Sequence, residues 1–147
     1  MKSIAEYCET PEKARRSLEI LKQEFSAGSG KAGYTLHILY SEGVNLPEEI
    51  KAVIGVSDLV AIEYYVKAFD LLMKEAEVGD GESMHLGAMY YQGGPPPGRN
   101  DKDLFKFWTD KAVEAGYLVL DDLLAIYWDP KSKFFDPKKA KQFHGLI

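Results

Sequence analysis

Along the chain, apolar residues return every three or four positions with polar residues between them, the spacing of amphipathic helices. In "EKARRSLEILKQEFSAG" the residues Ala14, Leu18, Leu21 and Phe25 follow that spacing. Thr10-Pro11-Glu12 opens this segment with an N-cap, a proline at the first helical position and an early acid, all favourable at the positive end of a helix. Gly28 closes it. Ser29 then caps a second segment through "YTLHILYSEG", ending at Gly43. The order recurs in "SDLVAIEYYVKAFDLLMKEAEVG", where Gly79 is the stop and Asp80 caps "SMHLGAMYYQGG", which closes at Gly93-Gly94. A third pass, "NDKDLFKFWTDKAVEAG", has Asn100 as cap and Gly116 as stop, and leads into "YLVLDDLLAIYWDP".

Superposing the turn glycines Gly28, Gly79 and Gly116 makes the repetition explicit. Leu36, Gly87 and Leu124 then coincide, as do Leu39, Tyr90 and Tyr127, and Tyr40, Tyr91 and Trp128. In the preceding helices Ile20, Leu71 and Trp108 coincide, as do Phe25, Ala76 and Val113. The spacing is 51 residues and then 37. The longer interval holds an insertion, Val44 to Ser57, in which Pro47-Glu48-Glu49 opens a short extra helix. The other connection, "GGPPPGRN", is stiff at Pro95 to Pro97 and suits a turn between hairpins. "DPKKAKQF" repeats the cap-Pro-x-Lys-Ala order of "TPEKARRS" and predicts a partial last helix from Pro137, covering the end of the array. The expected layout is one domain over residues 1–147, with hairpins at about 10–43, 58–94 and 100–130, the insertion at 44–57 and the capping helix at 137–147.

The run "KAFDLLMKEAEVGDGESMHLGAMYYQGG" resembles the Sel-one-like repeat, a relative of the tetratricopeptide repeat. Ala68, Ala76, Gly79, Asp80, Leu86, Gly87, Met89, Tyr90 and Gly93 match that family's pattern in order. The third hairpin keeps Trp108, Lys111, Ala112 and Gly116 but has Leu124 in place of the Leu-Gly glycine. The first is looser, with Ser17 at an alanine position and Leu36 at the glycine. The resemblance covers residues 58 to 128. It implies an all-α fold, a short α-solenoid of three stacked antiparallel helical hairpins plus a partial C-terminal helix. It also implies a protein-binding role, with no shared catalytic residues to carry over.

Composition narrows the partner. The chain has 147 residues, 46% apolar and 12% aromatic, enough for a real core. A net charge of −5 and a pI near 5.2 argue against a nucleic-acid binder and suit a basic protein surface. Cys8 is the only cysteine, so there is no internal disulfide and no cysteine zinc cluster. The acids Glu6, Glu9 and Glu12 interrupt the start where a signal peptide needs an apolar run, and no segment reaches the ~18 apolar residues of a membrane span. A cytoplasmic protein without membrane contact is expected.

Gly79-Asp80-Gly81 suggests a phosphate cradle, but no strand precedes it, and a capped inter-helix turn explains it. His37, His85 and His144 lack a second histidine one turn away, so no helical metal pair forms. His85 does lie one turn from Glu82. No catalytic, metal or cofactor site is expected. On the first helices, Tyr64, Ala68, Leu71, Leu72 and Glu75 share one broad face, and Tyr65, Phe69 and Leu72 an adjoining one. Core packing accounts for such stripes, but both cannot be wholly buried in a two-layer hairpin, and interface cores favour aromatics. The candidate partner-binding residues are Tyr65, Phe69, Asp70, Lys74, Lys106 and Asp110, with Glu48 and Glu49 on the insertion. Asp70 with Lys74 and Lys106 with Asp110 are also spaced as i,i+4 ion pairs.

The expected function is non-enzymatic protein binding, by a monomer or homodimer. One form is a bacterial immunity or antitoxin-type protein that neutralises a specific secreted toxin with a basic surface. The other is a cytosolic adaptor or chaperone-like scaffold that holds a peptide in its concave groove. An enzyme with a site at the inter-hairpin loops is a weaker third reading, because the acid–base and metal constellations it needs are missing from the sequence.

Overall fold

A computed structural model describes residues 3–144, and within them every regular element is helical. In chain order these are α1 (Ile4–Tyr7), α2 (Pro11–Ser26), α3 (Gly30–Tyr40), α4 (Glu48–Ile54), α5 (Asp58–Glu77), α6 (Gly81–Met89), α7 (Lys102–Glu114), α8 (Leu120–Tyr127) and α9 (Pro137–His144). Residues 145–147, which the sequence assigns to the last helix, lie outside the described part. The caps at Thr10, Ser29 and Asp80 each accept a backbone N–H from three residues on. Several boundaries differ from expectation. α6 stops at Met89 rather than running to Gly93. α3 stops at Tyr40 rather than running to Gly43, and the cap of α7 is Asp101 rather than Asn100. The carboxylate of Asp101 receives Leu104 N–H at 3.0 Å, while its own N–H is held by Tyr91 O at 2.9 Å.

The three turns within helix pairs share one hydrogen-bond pattern. Gly28, Gly79 and Gly116 adopt positive φ, which costs glycine least. Their amides donate to Phe25, Ala76 and Val113, and the following amides of Ser29, Asp80 and Tyr117 reach back to Glu24, Glu75 and Ala112. These carbonyls sit at equivalent places in the three repeats. The paired bonds satisfy carbonyls that a helix end leaves open.

A second pattern closes the connections between pairs. Ser57 N–H donates to Tyr40 O at 2.8 Å, Asp101 N–H to Tyr91 O at 2.9 Å, and Asp136 N–H to Tyr127 O at 2.8 Å. Each donor is also the residue whose side chain caps the next helix. The clasp is the same whatever length of chain lies between. At the longest connection Glu42 and Asp58 add a reciprocal bracket, each carboxylate accepting the other's amide.

Packing follows the chain. α2 lies on α3, α3 on α5, α5 on α6, α6 on α7, α7 on α8 and α8 on α9. The insertion helix α4 turns back onto α2, burying Ile50 and Ile54 with Leu18 and Leu21. These isoleucines are four residues apart, so one face of a two-turn helix suffices. At the other end Ala140 of α9 is buried with Leu123, Ile126 and Tyr127, and Phe143 packs against them. Gly30 and Gly81 open α3 and α6 and mark close approaches between pairs. A β-carbon on Gly30 would sit 2.5 Å from the backbone nitrogen of Leu72, and one on Gly81 would sit 2.9 Å from Tyr117.

Candidate partner-binding surface

The aromatic stripe of α5 divides. Tyr65 is only 8% exposed, stacked on Tyr90 with ring centroids 4.1 Å apart and tilted against His37. Tyr90 is fully buried and donates its hydroxyl to Tyr65 O at 2.7 Å. The 94–98 segment lies over the Tyr65 hydroxyl, within contact distance of where β-carbons on Gly94 and Gly98 would be. Tyr65 therefore presents little side-chain surface to a partner. Phe69 is half-buried between Tyr90 and Tyr91. The exposed apolar residues of α5 are instead Leu59, Ile62 and Val66, on the turns before it.

Asp70 and Lys74 are exposed on α5, but no ion pair joins them among the described residues. Two solvated side chains gain little by meeting, so the spacing alone does not bring them together. Lys106 and Asp110 do pair, at 2.7 Å. Asp110 also accepts the Tyr127 hydroxyl at 2.6 and 2.8 Å, and Lys106 lies over the rings of Tyr127 and Phe134. Burial first, and the hydrogen bond to Asp110 second, push the Tyr127 hydroxyl above the ordinary tyrosine range. The Lys106–Asp110 pair is half-buried, and both side chains line a recess over α7. Glu48 and Glu49 point away from the core of α4, with Glu48 loosely paired to Lys51 at 3.8 Å.

Two recesses lie along the first helices. One, of about 380 Å³, joins α2 to α5 through Lys22, Phe25, Tyr64 and Lys67. The other, of about 410 Å³, runs over α7 between Phe107 and Phe134. A third, of about 330 Å³, opens where the 92–100 crossing meets the 128–134 segment, on a floor of Tyr91, Phe105 and Ile126.

On the second helices the polar residues form a ladder that the sequence reading did not pick out. Lys31 of α3 bonds Asp80 at 2.7 Å and lies 3.6 Å from Glu82 of α6. Burial works against the Lys31 ammonium, but those two acids outweigh it and raise its pKa. Burial likewise disfavours the Asp80 carboxylate, yet bonds from Lys31 and Ser83 hold its pKa below the usual range. Further along, His85 Nδ1 of α6 lies 3.2 Å from Asp122 Oδ2 of α8, and its ring stacks on Tyr117. Lys31 and Glu82 hold equivalent repeat positions, as do His85 and Asp122. The superposed spacings of 51 and 37 residues were the signal that could have found both pairs. His37 is separate, its Nδ1 3.1 Å from Ala61 O. Burial lowers its pKa, against the opposing pull of that carbonyl.

Among the described residues no group of three or more His, Cys, Asp and Glu side chains is arranged to hold a metal ion, and no helix is long and apolar enough to cross a membrane. Searches against protein-family models, curated proteins and solved structures found no match to this chain.

Proposed function

We propose that this chain is a non-enzymatic protein-binding repeat protein of the Sel-one-like kind, a short α-solenoid of three stacked antiparallel hairpins working in the cytoplasm. The observation that carries this reading is the threefold recurrence of the turn and clasp hydrogen bonds. Recurring bonds and contacts in chain order support a stacked array of one repeated unit, and such arrays leave an extended surface along their first helices. The recesses over α2, α5 and α7 lie on that surface.

Within this reading we favour a bacterial immunity or antitoxin-type protein that neutralises one secreted toxin. The net charge of −5 suits a basic partner surface, and the α4 insertion with exposed Glu48 and Glu49 is an irregular feature able to carry individual specificity. The recess between α2 and α5, where Phe25, Val60 and Tyr64 stand among Lys22, Glu63 and Lys67, favours a second reading, an adaptor that seats a peptide there. Affinity capture of the tagged chain from its native host separates them. One stoichiometric partner encoded beside it is expected for immunity, several unrelated clients for the adaptor, and no partner at all would overturn both.

A further inference from the structure

The recess at the 92–100 crossing sets cations around an apolar floor in a chain that is acidic overall. Its floor is apolar and buried, formed by Tyr91, Phe105 and Ile126 with half-buried Phe134 beside them. Its volume of about 330 Å³ is of the size that takes one or two side chains of a ligand. Lys102 comes from the first turn of α7, and Lys131 from the connection after α8. Arg99 stands alongside, its guanidinium 5.6 Å from the centre of the Tyr91 ring.

None of these three cations lies within 4.0 Å of a carboxylate among the described residues. Neighbouring lysines are committed, Lys106 to Asp110 at 2.7 Å and Lys133 to Asp103 at 2.9 Å. The one carboxylate lining the recess, Asp129, is engaged by Lys131 N–H at 2.9 Å. The rim is fixed before any ligand arrives. Gln92 and Asn100 pair as an antiparallel bridge, and Arg99 and Asp101 donate to Tyr90 and Tyr91. The exposed carboxamides of Gln92 and Asn100 keep donors and acceptors free for a peptide backbone.

We propose that this recess seats an extended segment of the partner protein in which an apolar side chain is flanked by acidic residues. The apolar side chain covers Phe105 and Ile126, and the flanking carboxylates meet Lys102 of α7 and Lys131 of the connection after α8. Nucleic acid fits less well, because its affinity depends on neutralising many phosphates and the chain carries −5 overall. This inference rests on the protein-binding reading and refines it. The partner's basic surface would face the acidic remainder of the chain, while one acidic segment docks here.

The test titrates the whole chain with a short blocked peptide, acetyl-Asp-Glu-Phe-Leu-Glu-Asp-amide, followed by amide chemical shifts. Controls are the same peptide with lysine for each acid, the same peptide with alanine for Phe and Leu, and a short oligothymidylate. Saturable shifts confined to Tyr91, Asn100, Phe105 and Ile126 are expected with the acidic apolar peptide. The double variant Lys102→Glu, Lys131→Glu changes two exposed side chains and is expected to weaken binding at least about tenfold, ~1.4 kcal/mol. Added salt is expected to weaken it as well. Absent or unsaturable shifts, shifts centred elsewhere, or equal binding of any control would overturn the proposal. A captured partner that binds with this recess unprotected would sink the recess and leave the protein-binding reading standing. Peptide binding with no capturable partner would do the reverse.

Discussion

His85 and Asp122 occupy the same place in successive repeats, 37 residues apart, and meet with Nδ1 3.2 Å from Oδ2 across α6 and α8. Their side chains are 18% and 12% exposed, so the contact is only partly screened by water. Neither atom has a well-aligned hydrogen-bond partner among the described residues. What each gains is the other's proximity. A double-mutant cycle with His85→Ala and Asp122→Ala, followed by urea denaturation, is expected to give a coupling of about 0.5–3 kcal/mol. Additive losses would show that the two helices are held together by other contacts.

Gly30 and Gly87 are both buried helical glycines, but an added methyl group meets different neighbours. At Gly30 it would strike the backbone of Leu71 and Leu72, which cannot yield without parting α3 from α5. At Gly87 it would meet the terminal methyl of Met73, the end of a flexible side chain. Gly30→Ala is expected to destabilise by about 1–3 kcal/mol. Gly87→Ala is expected to cost less than ~1 kcal/mol, since the gain in helix propensity offsets the repacking. Thermal denaturation of the two variants checks this, and equal losses would contradict the account.

His37 makes stability depend on pH. Burial holds its pKa below the ordinary imidazole value, with the Ala61 carbonyl opposing. In the unfolded chain this imidazole titrates at about 6.5 and there binds a proton that the folded chain resists. The contribution is therefore intact above about pH 6.5 and is lost as pH falls toward the lower folded value. Denaturation midpoints at a series of pH values should decline on the acid side, and His37→Gln should flatten that decline. An unchanged slope in the variant would assign the acid sensitivity to other groups.

Much of the helix order was legible because the signals are local. Gly28, Gly79 and Gly116 sit at positive φ, and the caps at Thr10, Ser29 and Asp80 act over three residues, so each could be read from a few letters. Asn100 and Asp101 are both good caps. The bond from Asp101 N–H to Tyr91 O, a contact across the connection, selects between them. Surface exposure was less legible for the same reason. Periodicity grouped Tyr65 with Phe69 but could not show that the 94–98 segment lies over the Tyr65 hydroxyl. Nor could it bring Arg99 and Lys102 beside Lys131, which the chain separates and the floor of Tyr91 and Ile126 joins.

The most direct test of the partner-binding account is a hydrogen-exchange footprint of the chain with its captured partner, reassembled from purified components. The expected result is a one-to-one complex with new protection on the surface-exposed parts of α2, α5 and α7 and around the 92–100 crossing. A mixture that does not reassemble, or a complex that leaves all of these segments exchanging as in the free chain, would contradict it.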